Sequence, residues 1–252
     1  MIKTFIFVSI SSILLIGCQK KIEIISSETV STYMPLEVGK YIMYQLDSTV
    51  FTNLGTKKEI HSYIIKDTTE AIVSDNLGRK AFRISRLIRN KIDTTSWLHI
   101  DSYLAIADST RLEIIESNKR FIKLQVPIKN GFYWKGNSYI NTISLPGFQY
   151  LNNWEYTYED VSKTVRLNAQ NYPNSISIQQ RNDTIGVPSN RSAYSEINYS
   201  KEIFSKNIGL IYKEFLHEVW QPSNANNPAG YYEENSYGIK ISILKHNFVS
   251  PK

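Results

Sequence analysis

Tyr41-Ile42-Met43-Tyr44-Gln45-Leu46-Asp47-Ser48-Thr49-Val50-Phe51 alternates in polarity. Successive side chains of an extended chain point to opposite faces, so Ile42, Tyr44, Leu46 and Val50 share one side and Gln45, Asp47 and Thr49 the other. The same period recurs in Lys119 to Val126, where Ile122, Leu124 and Val126 stand opposite Lys123 and Gln125. It recurs again in Tyr237 to Lys245, where Ile239, Ile241 and Ile243 oppose Lys240 and Ser242. These runs predict half-buried strands. Turn residues separate them at Asn53-Leu54-Gly55, Asp75-Asn76-Leu77-Gly78, Asn130-Gly131, Pro146-Gly147, Pro173-Asn174 and Gly186-Val187-Pro188. One segment competes for a helix: in Arg79 to Lys91, Ala81, Ile84, Leu87 and Ile88 could form a helical stripe. The preceding turn, and the alternation of Phe82, Ile84 and Ile88 against Arg83 and Arg89, favour a strand. The Asn, Pro and Gly-rich stretch Gln221 to Gly230 reads as a long hairpin loop. Many short strands without a confident helix predict an all-β fold: one antiparallel domain whose sheet curls into a half-barrel or packs as a sandwich.

Composition agrees with a folded domain. The chain has 252 residues, 42% hydrophobic, 12% aromatic and 21% charged, which excludes disorder and a multi-span membrane protein. This length buries a sizeable core without staples. The single cysteine allows no intramolecular disulfide and no cysteine-based metal cluster.

That cysteine ends the amino-terminal signal. Lys3 gives a positive start, Thr4 to Ile16 is almost uninterrupted apolar sequence, and Leu15-Ile16-Gly17-Cys18 follows. The tetrapeptide resembles the bacterial lipobox, in which the cysteine thiol is acylated and the cysteine becomes the new amino terminus. The apolar run is well short of the roughly 20 residues a helix needs to span a bilayer. Lys20-Lys21 after it would also oppose the positive-inside bias of an uncleaved anchor. The expected organisation is a signal peptide over 1–17, an acylated tether over 18–34 rich in Ser and Thr, and one β-rich domain over 35–248. Acylated Cys18 would hold the protein on a membrane. Gln19 differs from the Asp of inner-membrane retention signals, and Gln19-Lys20-Lys21-Ile22-Glu23 differs from acidic surface-export runs. The resemblance therefore implies an outer-membrane lipoprotein, on the periplasmic face in preference to the cell surface. With 29 basic against 23 acidic residues, the mild positive balance is read against anionic lipid and not nucleic acid.

Four constellations invite chemistry. Glu214-Phe215-Leu216-His217-Glu218 mimics a metal motif, but on a strand His217 lies with Phe215 and Val219, opposite both glutamates. Trp97, His99 and Asp101 would share a strand face without any nucleophile motif nearby. Trp154, Tyr156 and Tyr158 form an aromatic ladder that could stack on sugars or join the core, with Glu155 and Glu159 on the other face. These aromatics are the candidate binding residues. Arg79, Lys80, Arg83, Arg86, Arg89 and Lys91 form a basic patch that could meet anionic lipid, and more simply solvates a strand face or edge. No catalytic residue, cofactor or metal site is expected, and the chain reads as non-enzymatic.

Three further regions carry a family resemblance. Glu116-Ser117-Asn118-Lys119-Arg120-Phe121-Ile122-Lys123-Leu124-Gln125-Val126-Pro127-Ile128, with Trp134-Lys135-Gly136-Asn137, is similar to a motif of uncharacterised Gram-negative lipoproteins. Asn207-Ile208-Gly209-Leu210-Ile211-Tyr212-Lys213-Glu214 resembles their penultimate strand, and Pro35-Leu36-Glu37-Val38-Gly39-Lys40-Tyr41 their usual opening. The resemblance implies no activity for any residue. Physically, Gly136 and Asn137 suit a turn at positive φ, Gly209 suits a bulge or close approach, and Trp134 suits a core anchor. Three functions follow as expectations: an accessory or binding subunit of an outer-membrane assembly, a carrier of a lipid or apolar ligand in a half-barrel, and a carbohydrate binder or enzyme.

Overall fold

The alternating runs become strands. A computed structural model describes residues 29–92, 96–144, 147–225 and 228–248. In chain order the strands are β1 (Tyr41–Thr52), β2 (Lys57–Ser74), β3 (Lys80–Asn90), β4 (Leu98–Ala107), β5 (Arg111–Glu116), β6 (Lys119–Gln125), β7 (Tyr133–Lys135), β8 (Glu155–Leu167), β9 (Gln170–Ile185), β10 (Ser195–Ser205), β11 (Gly209–Gln221), β12 (Tyr231–Tyr232) and β13 (Tyr237–His246). Arg79 to Lys91 resolves as strand β3. All join one antiparallel sheet in the order β6-β5-β4-β3-β2-β1-β13-β11-β10-β9-β8-β7, with β12 paired to β11.

The expected all-β antiparallel domain is what forms, and its curl goes past a half-barrel to a nearly closed barrel with one seam. The sheet's two ends, β6 and β7, are neighbours in sequence and meet. Ile122 N donates to Gly136 O at 2.8 Å, and Trp134 Nε1 donates to Ile122 O at 2.8 Å. Tyr158 Oη donates to Gln125 O at 2.9 Å and accepts from Gln125 N at 3.0 Å. Closure satisfies edge groups that would otherwise template aggregation. Trp134, 6% exposed, is the anchor its sequence suggested.

One barrel end is plugged. A 3-10 turn at Val30–Tyr33 inserts two side chains with no exposure. Val30 N and Ser31 N donate to Ser109 O and Asp108 O in the β4–β5 turn, and Thr32 O accepts from Asn207 N in the β10–β11 turn. The tether expected as far as Met34 therefore gives way to packed structure at Val30; the Ser and Thr content masked one apolar pair. At the opposite end the β7–β8 connection turns inward through a 3-10 turn, Gln149–Leu151. Tyr150 stacks on His217 at 3.8 Å and meets the Tyr237 hydroxyl at 3.3 Å.

Two turn expectations change. Pro173-Asn174 lies inside β9, where Asn174 at φ 51° makes a kink, and the reversal falls at Asn168-Ala169, at φ 49° and 65°. Gly136 is not at positive φ. A Cβ there would lie 2.4 Å from the Tyr156 ring, so glycine is required for close packing. Gly209 does combine positive φ, 114°, with crowding, since a Cβ there would lie 3.3 Å from Met34 Sδ.

Bulges shape the interior. The β3–β4 register pairs Arg86 with Asp101 and Leu87 with His99, skipping Ile100. The β5–β6 register pairs Leu112 with Leu124 and Glu113 with Ile122, skipping Lys123. The β9–β10 register pairs Ser200 with Arg181 and Lys201 with Gln179, skipping Gln180. An extra residue on one strand re-aims its side chain. All three skipped residues line the barrel's cavities.

Candidate functional site

The barrel interior is incompletely filled. An apolar chamber of about 160 Å³ lies among Met34, Leu46, Ile65, Ile114, Phe204 and Ile241. Beside it, a chamber of about 250 Å³ is walled by Phe121, Phe148, Tyr150, Trp154, Phe215 and Tyr237. Both are bounded by Arg86, Glu116, Lys123, Lys213 and Ile239, so a belt of charges separates an apolar space from an aromatic one. Each volume far exceeds what one water occupies.

Parity along the strands places most of the belt. Arg86 follows Ile84 on β3, Lys213 lies between Ile211 and Phe215 on β11, and Glu202 lies between Ser200 and Phe204 on β10. Buried charge is tolerated where it is paired. Arg86 donates through Nε and Nη2 to the two carboxylate oxygens of Asp67, both at 2.8 Å, and through Nη1 to Glu116 at 3.0 Å. Tyr103 Oη also donates to Asp67, at 3.0 Å. Lys123 Nζ donates to Glu202 Oε1 at 2.7 Å. Lys213 is less well served: the same Glu202 oxygen stands 3.9 Å from its Nζ, beyond hydrogen-bonding distance.

The protonation equilibria follow. Burial alone would lower the Arg86 pKa, but Asp67 carries it well above its ordinary value. Burial alone would raise Glu116, and Lys213, Arg86 and Lys123 bring it below the usual carboxylate range. Burial, reinforced by the Lys123 charge, lowers Lys213. Burial raises the Tyr44, Tyr103 and Tyr156 hydroxyls well above theirs, which keeps them neutral donors. Two buried polar atoms on chamber-lining residues have no hydrogen-bond partner: Glu202 Oε2 and Gln180 Nε2, on residues each 2% exposed. Such orphans are uncommon in folded proteins, where buried polar atoms find partners.

The sequence candidates fall as follows. Trp154, Tyr156 and Tyr158 are 2%, 1% and 0% exposed and face the interior, with Glu155 and Glu159 outside. The ladder is thus core, and Trp154 and Tyr156 also wall the aromatic chamber. Tyr156 Oη donates to Asn137 Oδ1 at 2.8 Å, and Tyr158 bolts the seam. His217 lies inward with Phe215 and Val219, as alternation required, with Nδ1 2.7 Å from Asn198 Oδ1 and its pKa lowered by burial. Trp97, His99 and Asp101 do not share a face, because the Ile100 bulge sets His99 opposite Leu87 and Asp101 opposite Arg86. The basic patch is dispersed: Arg79 pairs with Asp75 and Glu113, Arg83 with Glu70, and Arg86 turns inside. Cys18 and Leu15-Ile16-Gly17 lie outside the described residues.

Among the described residues, no group of three His, Cys, Asp or Glu could hold a metal ion. No helix among them is long and apolar enough to cross a membrane. No family model matches the chain, and no curated protein matches it. Among solved structures, the chain is similar to a Bacteroides fragilis protein assigned as exported and described with a YMCC-like fold. The two are 10% identical over 83% of this chain and 97% of that one, with a TM-score of 0.38. A likeness so distant carries no argument, so function rests on the interior itself.

Proposed function

We propose that this protein is an envelope lipoprotein, anchored through acylated Cys18, that holds a lipid or other apolar-tailed ligand inside its barrel. One observation carries the binding role: the chambers adjoin, and the polar atoms on their walls are not all satisfied from within the protein. A concave apolar space with a few convergent polar groups is the usual form of a small-molecule site. The lipobox-like Leu15-Ile16-Gly17-Cys18 supports the anchor.

The test is titration of the soluble domain with N-phenyl-1-naphthylamine, an uncharged apolar fluorophore. Ile100, 45% exposed, lines the apolar chamber, so Ile100→Trp fills that chamber from its rim. Saturable one-to-one binding, lost in Ile100→Trp, is expected. An absence of saturable binding, or binding unchanged in the variant, overturns the proposal.

A further inference from the structure

The charges around the two chambers are asymmetric. The apolar chamber is bounded by Arg86, Lys123 and Lys213 against Glu116 and Glu202. The aromatic chamber is bounded by Arg86, Lys119, Lys123 and Lys213 against Glu116 alone. Arg86 is committed to Asp67 and Glu116, and Lys123 to Glu202. That leaves two cations without a hydrogen-bonded carboxylate, although Glu202 and Glu116 both act on Lys213 through space. Lys213 stands 3.9 Å from Glu202, and Lys119 donates only to the Ser117 carbonyl, at 3.2 Å, with its ammonium 4.4 Å from the Phe148 ring centroid.

Gln180 lines the same chamber. Its Oε1 accepts from Ser200 Oγ at 2.7 Å, which fixes the amide and leaves Nε2 as a buried donor with no acceptor. It shares the inward parity of Ile176 and Ile178 on β9. A buried donor left unmade costs about 1–3 kcal/mol, so a group that accepts from it recovers that cost. A carbonyl or hydroxyl would suffice for Gln180 alone. Two ammonium groups around the same space, neither hydrogen-bonded to a carboxylate, call for further negative charge as well.

We infer that the aromatic chamber seats the anionic oxyacid head of an amphiphile, a carboxylate or a phosphate, against Lys213 and the Gln180 amide with Lys119 at the rim, while the tail enters the apolar chamber. The inference rests on the ligand-carrying role proposed above. It gives the weakly paired Lys213 a counter-charge: an incoming anion favours its protonated form, against the effect of burial. Glu202 stays engaged with Lys123 on the apolar side, and its free oxygen suits a hydroxyl donor next to the head.

Calorimetric titration with decanoate, decyl phosphate and decanol separates the possibilities, because the three share a chain and differ in the head. Decanoate or decyl phosphate is expected to bind at least about tenfold more tightly than decanol, and the tighter of the two identifies the oxyacid. Lys213→Met should remove about tenfold of the anion's affinity and leave decanol within about twofold. Gln180→Leu, which replaces an orphan donor, provides a second variant and should weaken the anion in the same direction. Equal binding of all three ligands overturns the head assignment and leaves the carrier role standing. Failure of all three to bind overturns the carrier role itself.

Discussion

Lys123 Nζ lies 2.7 Å from Glu202 Oε1, across a barrel interior in which the two side chains are 10% and 2% exposed. They come from β6, at one end of the sheet, and β10, beyond the seam, so their pairing spans the closure. Breaking such a pair leaves an uncompensated charge, so Lys123→Met alone should cost about 3–5 kcal/mol. Lys123→Met combined with Glu202→Leu should cost much less, because neither charge remains. A urea-denaturation double-mutant cycle measures the coupling, and additive single effects would show that the pair is not formed.

Acid acts on a different cluster. Asp75 has a fully buried side chain, and burial alone would raise its pKa. The Arg79 amide and guanidinium and the Leu77 amide instead bring it to about 2. A folded-state pKa below the unfolded value of about 3.9 means stability that is fully present above that value and lost as pH falls toward about 2. Denaturation midpoints of wild type and Asp75→Asn should differ by a constant amount above about pH 5 and converge between about pH 4 and 2. A difference that does not change with pH would contradict the pairing.

Gly136 permits the approach of the Tyr156 ring, which a Cβ would meet at 2.4 Å from backbone held in the seam. Gly136→Val should destabilise by about 1–3 kcal/mol or more, as overpacking does. Adding Tyr156→Leu should recover part of that loss. Thermal melts of the single and double variants check it, and full stability in Gly136→Val would mean the seam is wider than described.

Anchoring depends on one atom, the Cys18 sulfur. Metabolic labelling with a radioactive fatty acid should mark the wild-type protein and leave Cys18→Ala unlabelled, retained at the precursor's size. Label in Cys18→Ala would place acylation elsewhere.

The fold was legible where alternation was unbroken. Ile42, Tyr44, Ile241 and Ile243 are buried as their parity required. The interior charges left a weaker sign: Arg86 shares parity with Ile84 and Ile88, and Lys213 with Ile211 and Phe215, so each sits on an apolar face. Reading Arg86 as one of a basic patch hid that sign. Gln180 likewise shares parity with Ile176 and Ile178, whereas Lys123 left no sign, because strict alternation sends it to solvent and only a bulge turns it inward. The closure of the barrel was equally hidden, since the β6–β7 seam depends on Trp134 and Tyr158 reaching backbone atoms of the opposite edge.

The most direct test is native mass spectrometry of the full-length protein extracted from its own envelope in mild detergent, beside Ile100→Trp prepared in the same way. A one-to-one adduct with the mass of an acidic amphiphile in the wild type, absent from Ile100→Trp, is the expected result. Unliganded protein in both, or an adduct that Ile100→Trp retains, would contradict a ligand carried in the barrel. Stoichiometric recovery of an outer-membrane protein without such an adduct would contradict it too, and would make the chain an accessory subunit.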